Sequence, residues 1–174
     1  ITMTSTRYGP HHGPQGMMLP GFGGYRVAGP APYENSAHTL LLANNTANAC
    51  VQCHMGPATA AEYGGHTFRV SNDETGAINS NACIVCHTTG ASDLNKLVDK
   101  SQTTIDSLSV VLEDLLVARG LYNATTGQNT KVEFKGHEAG ALYNFKFVEE
   151  DKSRGVHNYK LAYALLTNSI ASLQ

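Results

Sequence analysis

Two short stretches, Cys50-Val51-Gln52-Cys53-His54 and Cys83-Ile84-Val85-Cys86-His87, decide how this 174-residue chain is built, and they hold all four of its cysteines. C-x-x-C-H is the attachment signature of c-type haem. Two thiols spaced three positions apart can each add to one vinyl group of the same porphyrin, and the imidazole of the next residue then lies under the iron. The sequence therefore predicts two covalently attached haem c groups, held by Cys50 with Cys53 and by Cys83 with Cys86. His54 and His87 are the predicted proximal ligands.

Two other uses of paired cysteines compete with this interpretation. Four thiolates can hold a structural zinc ion, and one C-x-x-C pair can form a redox disulfide. The 28 residues between the two motifs exceed the roughly 15–20 of a zinc ribbon. Neither alternative explains why a histidine follows both pairs, so haem attachment is the prediction.

The composition agrees with a chain whose interior is partly filled by its cofactor. Hydrophobic residues make up 41% and charged residues 15%, and there is no tryptophan. This apolar fraction is modest for closing a core from side chains alone, whereas two porphyrins add large apolar plates. The net charge of −2 at pH 7 argues against a nucleic-acid partner.

The sequence also indicates where the protein acts. No stretch approaches the roughly 18 apolar residues of a membrane span, so we expect a soluble chain without a transmembrane segment. It begins at Ile1 rather than methionine, from which we expect that a leader has been removed. Because c-type haem is attached outside the cytoplasm, the predicted location is periplasmic or extracellular. Two Asn-x-Thr sequons, at Asn44 and Asn123, are candidate glycan sites on a secreted protein.

The pattern along the chain predicts a mainly α protein with extensive coil. Residues 1–36 form an irregular arm rich in glycine and proline, with interleaved aromatic side chains that could anchor it to a surface, namely Tyr8, Phe22, Tyr25 and Tyr33. Residues 37–174 form a dihaem cytochrome domain, in which loops wrap the haems and long C-terminal helices follow. Apolar spacing predicts helices from Ser92 to before Gly120, over residues 137–149 and over residues 159–172.

Each iron needs a second axial ligand, and the chain offers a surplus of candidates. The six remaining histidines are His11, His12, His38, His66, His137 and His157. Methionine could serve instead and would raise the redox potential; the candidates are Met3, Met17 and Met18, because Met55 adjoins His54 and points away from the same iron. The surplus of histidine favours bis-His ligation, and His137 reads as a solvated helix start. The residues alone leave the choice among the others open.

The order of these motifs resembles a known family. Cys50 to Met55, a loop containing His66, Cys83 to Thr88, a long helix, and Gly155-Val156-His157 before a final helix look like the C-terminal, two-haem part of pentahaem cytochrome c nitrite reductases and their multihaem relatives. The resemblance covers about residues 38–174.

The resemblance implies a ligand set. It pairs His54 with distal His157 and His87 with distal His38. The family's counterpart of His66 ligates a haem from an earlier part of the chain, and the His11-His12 segment is weakly similar to the active-site histidine segment. Their haems have no motif here, since the sequence contains neither C-x-x-C-K nor a third C-x-x-C-H. His66, His12 and His11 are therefore additional candidate ligands, within the chain or between subunits.

The predicted function is electron transfer by two bis-His haems, without enzymatic activity. Its partners would be redox proteins or identical subunits, since a head-to-tail contact that does not close produces a filament. In an extracellular conducting filament the arm would serve as a strap between subunits. The alternatives are a soluble periplasmic shuttle, a filament whose haems serve mainly as packing, and a small haem reductase or peroxidase with one open iron site.

Overall fold

The computed structural model describes residues 1–41, 49–58, 60–88 and 90–174, with the side chains of Ala49, Ala91 and Ser92 left aside. The chain divides into two compact units. The first combines Ile1–Thr39 with Ser101–Gln174, and the second is Leu40–Lys100, which contains both C-x-x-C-H motifs. The candidate glycan site at Asn44 lies outside the described residues.

Helices dominate the described part of the chain, which confirms the mainly α prediction. They include α1 (Gln15–Met18), α2 (Ala49–His54), α3 (Ala91–Ala118), α4 (Gly136–Asp151) and α5 (Tyr159–Leu173). A two-residue strand β1 (Tyr122–Asn123) pairs antiparallel with β2 (Gln128–Asn129), inside the segment predicted as a polar turn. Most of the arm is irregular as predicted, although it contains the one-turn helix α1.

The three C-terminal helices lie within one or two residues of their predicted bounds because their ends carry local signals. The α3 helix is followed by Gly120 at a φ of 70°, a conformation that glycine adopts without strain. The side chain of Glu138 accepts a hydrogen bond from the backbone N–H of Lys135 at 2.7 Å and closes the first turn of α4. Asn158 caps α5 by accepting from the backbone N–H of Leu161.

The first unit has a conventional side-chain core. Residues of α3, α4 and α5 supply most of it, and Phe134, Phe147 and Leu165 are among its fully buried side chains. Burying an apolar side chain of this size contributes about 1.5–3 kcal/mol. This core gives the first unit a rigid framework for the residues that its loops present.

The N-terminal arm packs on its own chain, through two of the expected aromatic anchors and through further residues that were not expected. Met3, Met18 and Val27 are buried, whereas Phe22 is 81% exposed. An aromatic ring has no preferred place in so broken a segment unless the tertiary fold provides a cleft for it. Tyr8 and Tyr33 pack against the core of the first unit, whereas anchoring by Phe22 stays a prediction about a surface outside this chain.

Buried asparagines of the C-terminal helices fasten the arm through its backbone. Asn144 accepts from the N–H of Tyr25 at 2.6 Å and donates to its carbonyl at 2.8 Å. Asn168 holds Ala31 in the same two-bonded way, at 2.8 and 2.9 Å. Both side chains are fully buried, so each amide replaces the β-strand partner that the arm lacks.

In the described part of the chain, no helix is both long enough and apolar enough to cross a membrane.

Candidate haem sites

The first C-x-x-C-H motif occupies α2 and the residue that ends it. Cys50 and Cys53 are three positions apart on a helix and therefore share one face, with Cys50 exposed and Cys53 half-buried. His54 closes the helix, and its Nδ1 lies 2.8 Å from the carbonyl oxygen of Phe68. The motif thus places two thiols on one side of the helix and an imidazole at its end.

Phe68 holds the imidazole of His54 in two ways. Its carbonyl pairs with Nδ1, and its ring stacks on the imidazole at 4.5 Å between centroids and 15° between planes. Phe68 has a φ of 59°, a left-handed conformation that is costly for a residue with a side chain. An acceptor at Nδ1 fixes the proton there and leaves the lone pair on Nε2, which is the form in which histidine binds iron.

The second motif follows a 3-10 turn at Ser80–Ala82 and is itself a hydrogen-bonded turn. The backbone N–H groups of Cys86 and His87 both donate to the carbonyl of Cys83, at 3.1 and 2.8 Å. Cys83 and His87 are half-buried and Cys86 is exposed. As predicted, both motifs therefore lie on short helical turns joined by loops.

Two asparagines and a glycine hold the motifs side by side within the second unit. Asn79 donates to the carbonyl of Gly56 at 3.2 Å, and Asn81 donates to the carbonyl of Pro57 at 2.9 Å. A Cβ at Gly56 would lie 2.6 Å from that of Ala82. The segment that leaves the first motif is therefore packed against the segment that enters the second, so haems on the two motifs would be neighbours.

The other three thiols affect the pKa of Cys53. Burial raises the pKa of Cys53, and charge repulsion from the other three cysteines raises it further. Burial also raises the pKa of Cys83. Even so, no three His, Cys, Asp or Glu side chains among the described residues, which include all four cysteines, are arranged to hold a metal ion. This arrangement offers no four-thiolate zinc site.

The described part of the second unit has no side-chain core of its own, which fits the requirement for haem. Its buried apolar side chains, among those described, are Ala82 and Leu94. Several large apolar side chains within or near the motifs are instead exposed: Val51, Met55, Phe68, Ile84 and Val85. An apolar macrocycle fixed to the cysteines would cover such side chains and supply the missing interior. The chemistry of the donors and the distribution of apolar surface both fit covalently bound haem.

The two distal ligands implied by the resemblance are fastened to one loop of the first unit. His157 has its Nδ1 2.7 Å from Oδ1 of Asp151, a carboxylate whose side chain is 1% exposed. His38 has its Nδ1 2.8 Å from the carbonyl oxygen of Val156. The loop from Asp151 to Asn158 thus holds both imidazoles, and in both the Nδ1 contact leaves the lone pair on Nε2.

The remaining candidates fall into three groups. His66, His11 and His12 are exposed, and Nδ1 of His12 contacts Oε2 of Glu150 at 2.9 Å. His137 lies half-buried in the first turn of α4. Among the methionines, Met3 and Met18 are part of the core, whereas Met17 is exposed.

Sequence reasoning missed two residues that position the imidazoles, Phe68 and Asp151. Neither carries a local signal. The positive φ of Phe68 is invisible in a sequence, and Asp151 looks like one more acidic residue at the end of a helix. Both act through contacts that the tertiary fold creates.

The haem-binding motifs and the helical fold together define a multihaem c-type cytochrome. The chain belongs to the cytochrome c552 family, which it matches over residues 32–174. It is also similar to the crystal structure of the outer cell wall cytochrome OcwA, with 27% sequence identity and a TM-score of 0.61. The match covers 94% of this chain but only 30% of OcwA. No curated protein sequence matches the chain significantly.

Proposed function

We propose that this protein transfers electrons through two covalently bound haems, each with two histidine ligands. His54 pairs with His157 on the haem of Cys50 and Cys53, and His87 pairs with His38 on the haem of Cys83 and Cys86. The proposal rests on one observation: in each of His54, His38 and His157, Nδ1 contacts an oxygen atom of another residue. Three imidazoles with the same fixed tautomer are prepared to bind iron through Nε2.

Six-coordinate iron favours electron transfer over catalysis. A haem enzyme needs an open iron position and a nearby acid or base, and two histidines on each iron leave no such position. The Asn79 and Asn81 contacts that place the motifs side by side support rapid exchange between the haems. The protein then contributes haem spacing, ligand identity and burial.

The ligand assignment is tested by electron paramagnetic resonance of the oxidised protein. His157→Ala and His38→Ala should each convert one of two low-spin signals to high spin, while His137→Ala, in the first turn of α4, should keep the wild-type spectrum. Wild-type spectra from both ligand variants would refute the assignment. A high-spin signal in the unmodified protein would instead favour the alternative, a small reductase or peroxidase.

We also propose that the protein acts outside the cytoplasm, in contact with a redox protein or with identical subunits. The similar OcwA is an outer cell wall cytochrome. His66 and His11 are exposed, and the side chain of His12 is 93% exposed, so a neighbouring molecule can reach all three.

Negative-stain microscopy of the dilute holoprotein distinguishes the possible partners. Uniform filaments that are lost in His66→Ala or in His11→Ala/His12→Ala would establish identical subunits as partners and these histidines as contacts between them. Particles of one chain's size would establish a shuttle. Electron transfer along the filaments would separate a conducting filament from one whose haems only help packing.

A further inference from the structure

A buried charge distinguishes the two predicted distal ligands. His157 faces a carboxylate through Nδ1, whereas His38 faces the neutral carbonyl of Val156. The carboxylate of Asp151 is almost completely shielded, with its side chain 1% exposed. A charge removed from water acts on its neighbours far more strongly than a charge at the surface.

Further contacts fix this carboxylate in place. The hydroxyl of Ser153 donates to Oδ2 of Asp151, which leaves Oδ1 for the imidazole of His157. The same hydroxyl accepts from the backbone N–H of His157 at 3.1 Å. Gln15 donates to the carbonyl of Asp151 at 3.2 Å and so fastens the end of α4 to the arm. Asp151 and Ser153 form a small network built around one imidazole.

We propose that Asp151 is a positioning residue that lowers the redox potential of the haem bound by His157 and makes the two haems unequal. This inference rests on the ligand pairs proposed above. A carboxylate that accepts a hydrogen bond from Nδ1–H increases the electron donation of the imidazole and stabilises ferric iron. The Nδ1 of His38 contacts the carbonyl of Val156, which donates no full negative charge to its haem. Electrons that enter the protein therefore reside first on the haem of His38.

Ser153 modulates the same effect in the opposite direction. Its hydroxyl withdraws part of the carboxylate charge by bonding Oδ2. Removal of this donor concentrates the charge on Oδ1 and strengthens the contact with His157. The network therefore predicts that variants of Asp151 and of Ser153 shift the redox potential in opposite directions. A general loosening of the loop would not produce opposite shifts.

The test is a redox titration of the holoprotein, with paramagnetic resonance to identify each haem. Asp151→Asn should raise one of the two midpoint potentials by about 59 mV, which corresponds to a change of about tenfold in the equilibrium constant for one electron. The other midpoint potential should stay unchanged. Ser153→Ala should lower the midpoint potential that Asp151→Asn raises. The affected haem must be the one that His157→Ala converts to high spin.

Glu150→Gln is the matched control. Glu150 precedes Asp151 and is also a carboxylate, but it contacts His12. If Glu150→Gln shifts the midpoint potential as much as Asp151→Asn does, the shift comes from loss of any nearby charge and not from the contact with His157, and the inference fails. It also fails if both midpoints stay unchanged in Asp151→Asn and Ser153→Ala. A high-spin spectrum from His157→Ala in that case would show that the ligand pairs, and with them the proposed function, survive.

Discussion

The close contact between Gly56 and Ala82 makes Gly56→Ala an informative substitution. The added Cβ would lie 2.6 Å from the Cβ of Ala82 and 3.3 Å from its backbone nitrogen. Ala82 is buried and has no flexible side chain that could move aside, so the backbone between the two haem motifs must shift. Overpacking of this kind costs about 1–3 kcal/mol. For a chain of this length that corresponds to a melting temperature about 2–12 °C lower.

The assay is thermal unfolding of the holoprotein, combined with paramagnetic resonance of the oxidised haems. We expect the melting temperature of Gly56→Ala to fall and the magnetic interaction between the haems to change, because the motifs are pushed apart. Gly136→Ala is the matched control: it is also a glycine without a positive φ, and a Cβ there meets nothing within 4 Å. A Gly56→Ala protein that melts together with the control and keeps the wild-type haem interaction would refute the packing argument.

Three further predictions follow from burial. Since Met18 is a core residue, Met18→Ala should destabilise the protein by about 2–5 kcal/mol without changing the low-spin spectrum. Met17 is exposed, so Met17→Ala should change neither the stability nor the spectrum. A spectral change in Met18→Ala would instead support methionine as a ligand. Burial raises the pKa of Tyr122 from 10.0 to about 12, with Glu149 and Glu113 adding to the shift. Its protonated phenol therefore contributes stability that is complete below pH 10 and lost as the pH rises through about 12. The melting temperatures of the wild type and of Tyr122→Phe should converge over that pH range. A constant difference between the two melting temperatures would contradict the raised pKa. In the haem-free chain, amide exchange should show residues 49–58 and 60–88 unprotected and α4 and α5 protected, because the described part of the second unit buries only two apolar side chains. Equal protection would disprove its dependence on haem.

Much of the fold was predictable because its signals are local. The C-x-x-C-H chemistry needs residues that are adjacent in sequence, so the cysteines, His54 and His87 stand out without any structure. The C-terminal helices carry apolar periodicity and local stop signals such as Gly120. Interactions between residues three or four positions apart, such as a helical hydrogen bond or a pair of thiols on one helix face, can be recognised from the sequence.

The unpredicted features depend on partners far apart in the chain. Asn144 and Asn168 read as ordinary polar residues of helices, yet they bind backbone more than a hundred residues away. The anchors of the arm could be chosen only in part from its aromatic residues, since Tyr8 and Tyr33 pack against the core but the buried Met18 carries no such signal. The choice of distal ligands likewise depended on a family resemblance, because Val156, whose carbonyl contacts Nδ1 of His38, lies 118 residues away in the sequence.

The first unit is assembled from both ends of the chain, and this has a consequence for biogenesis. Ile1 bonds to Phe134, and Ala31 bonds to Asn168, so these contacts cannot form before residues 134 and 168 have been synthesised. The four cysteines lie between residues 50 and 86 and are synthesised earlier, while the side-chain core of the first unit is still incomplete. Both motifs are therefore made before the core that holds the arm can close.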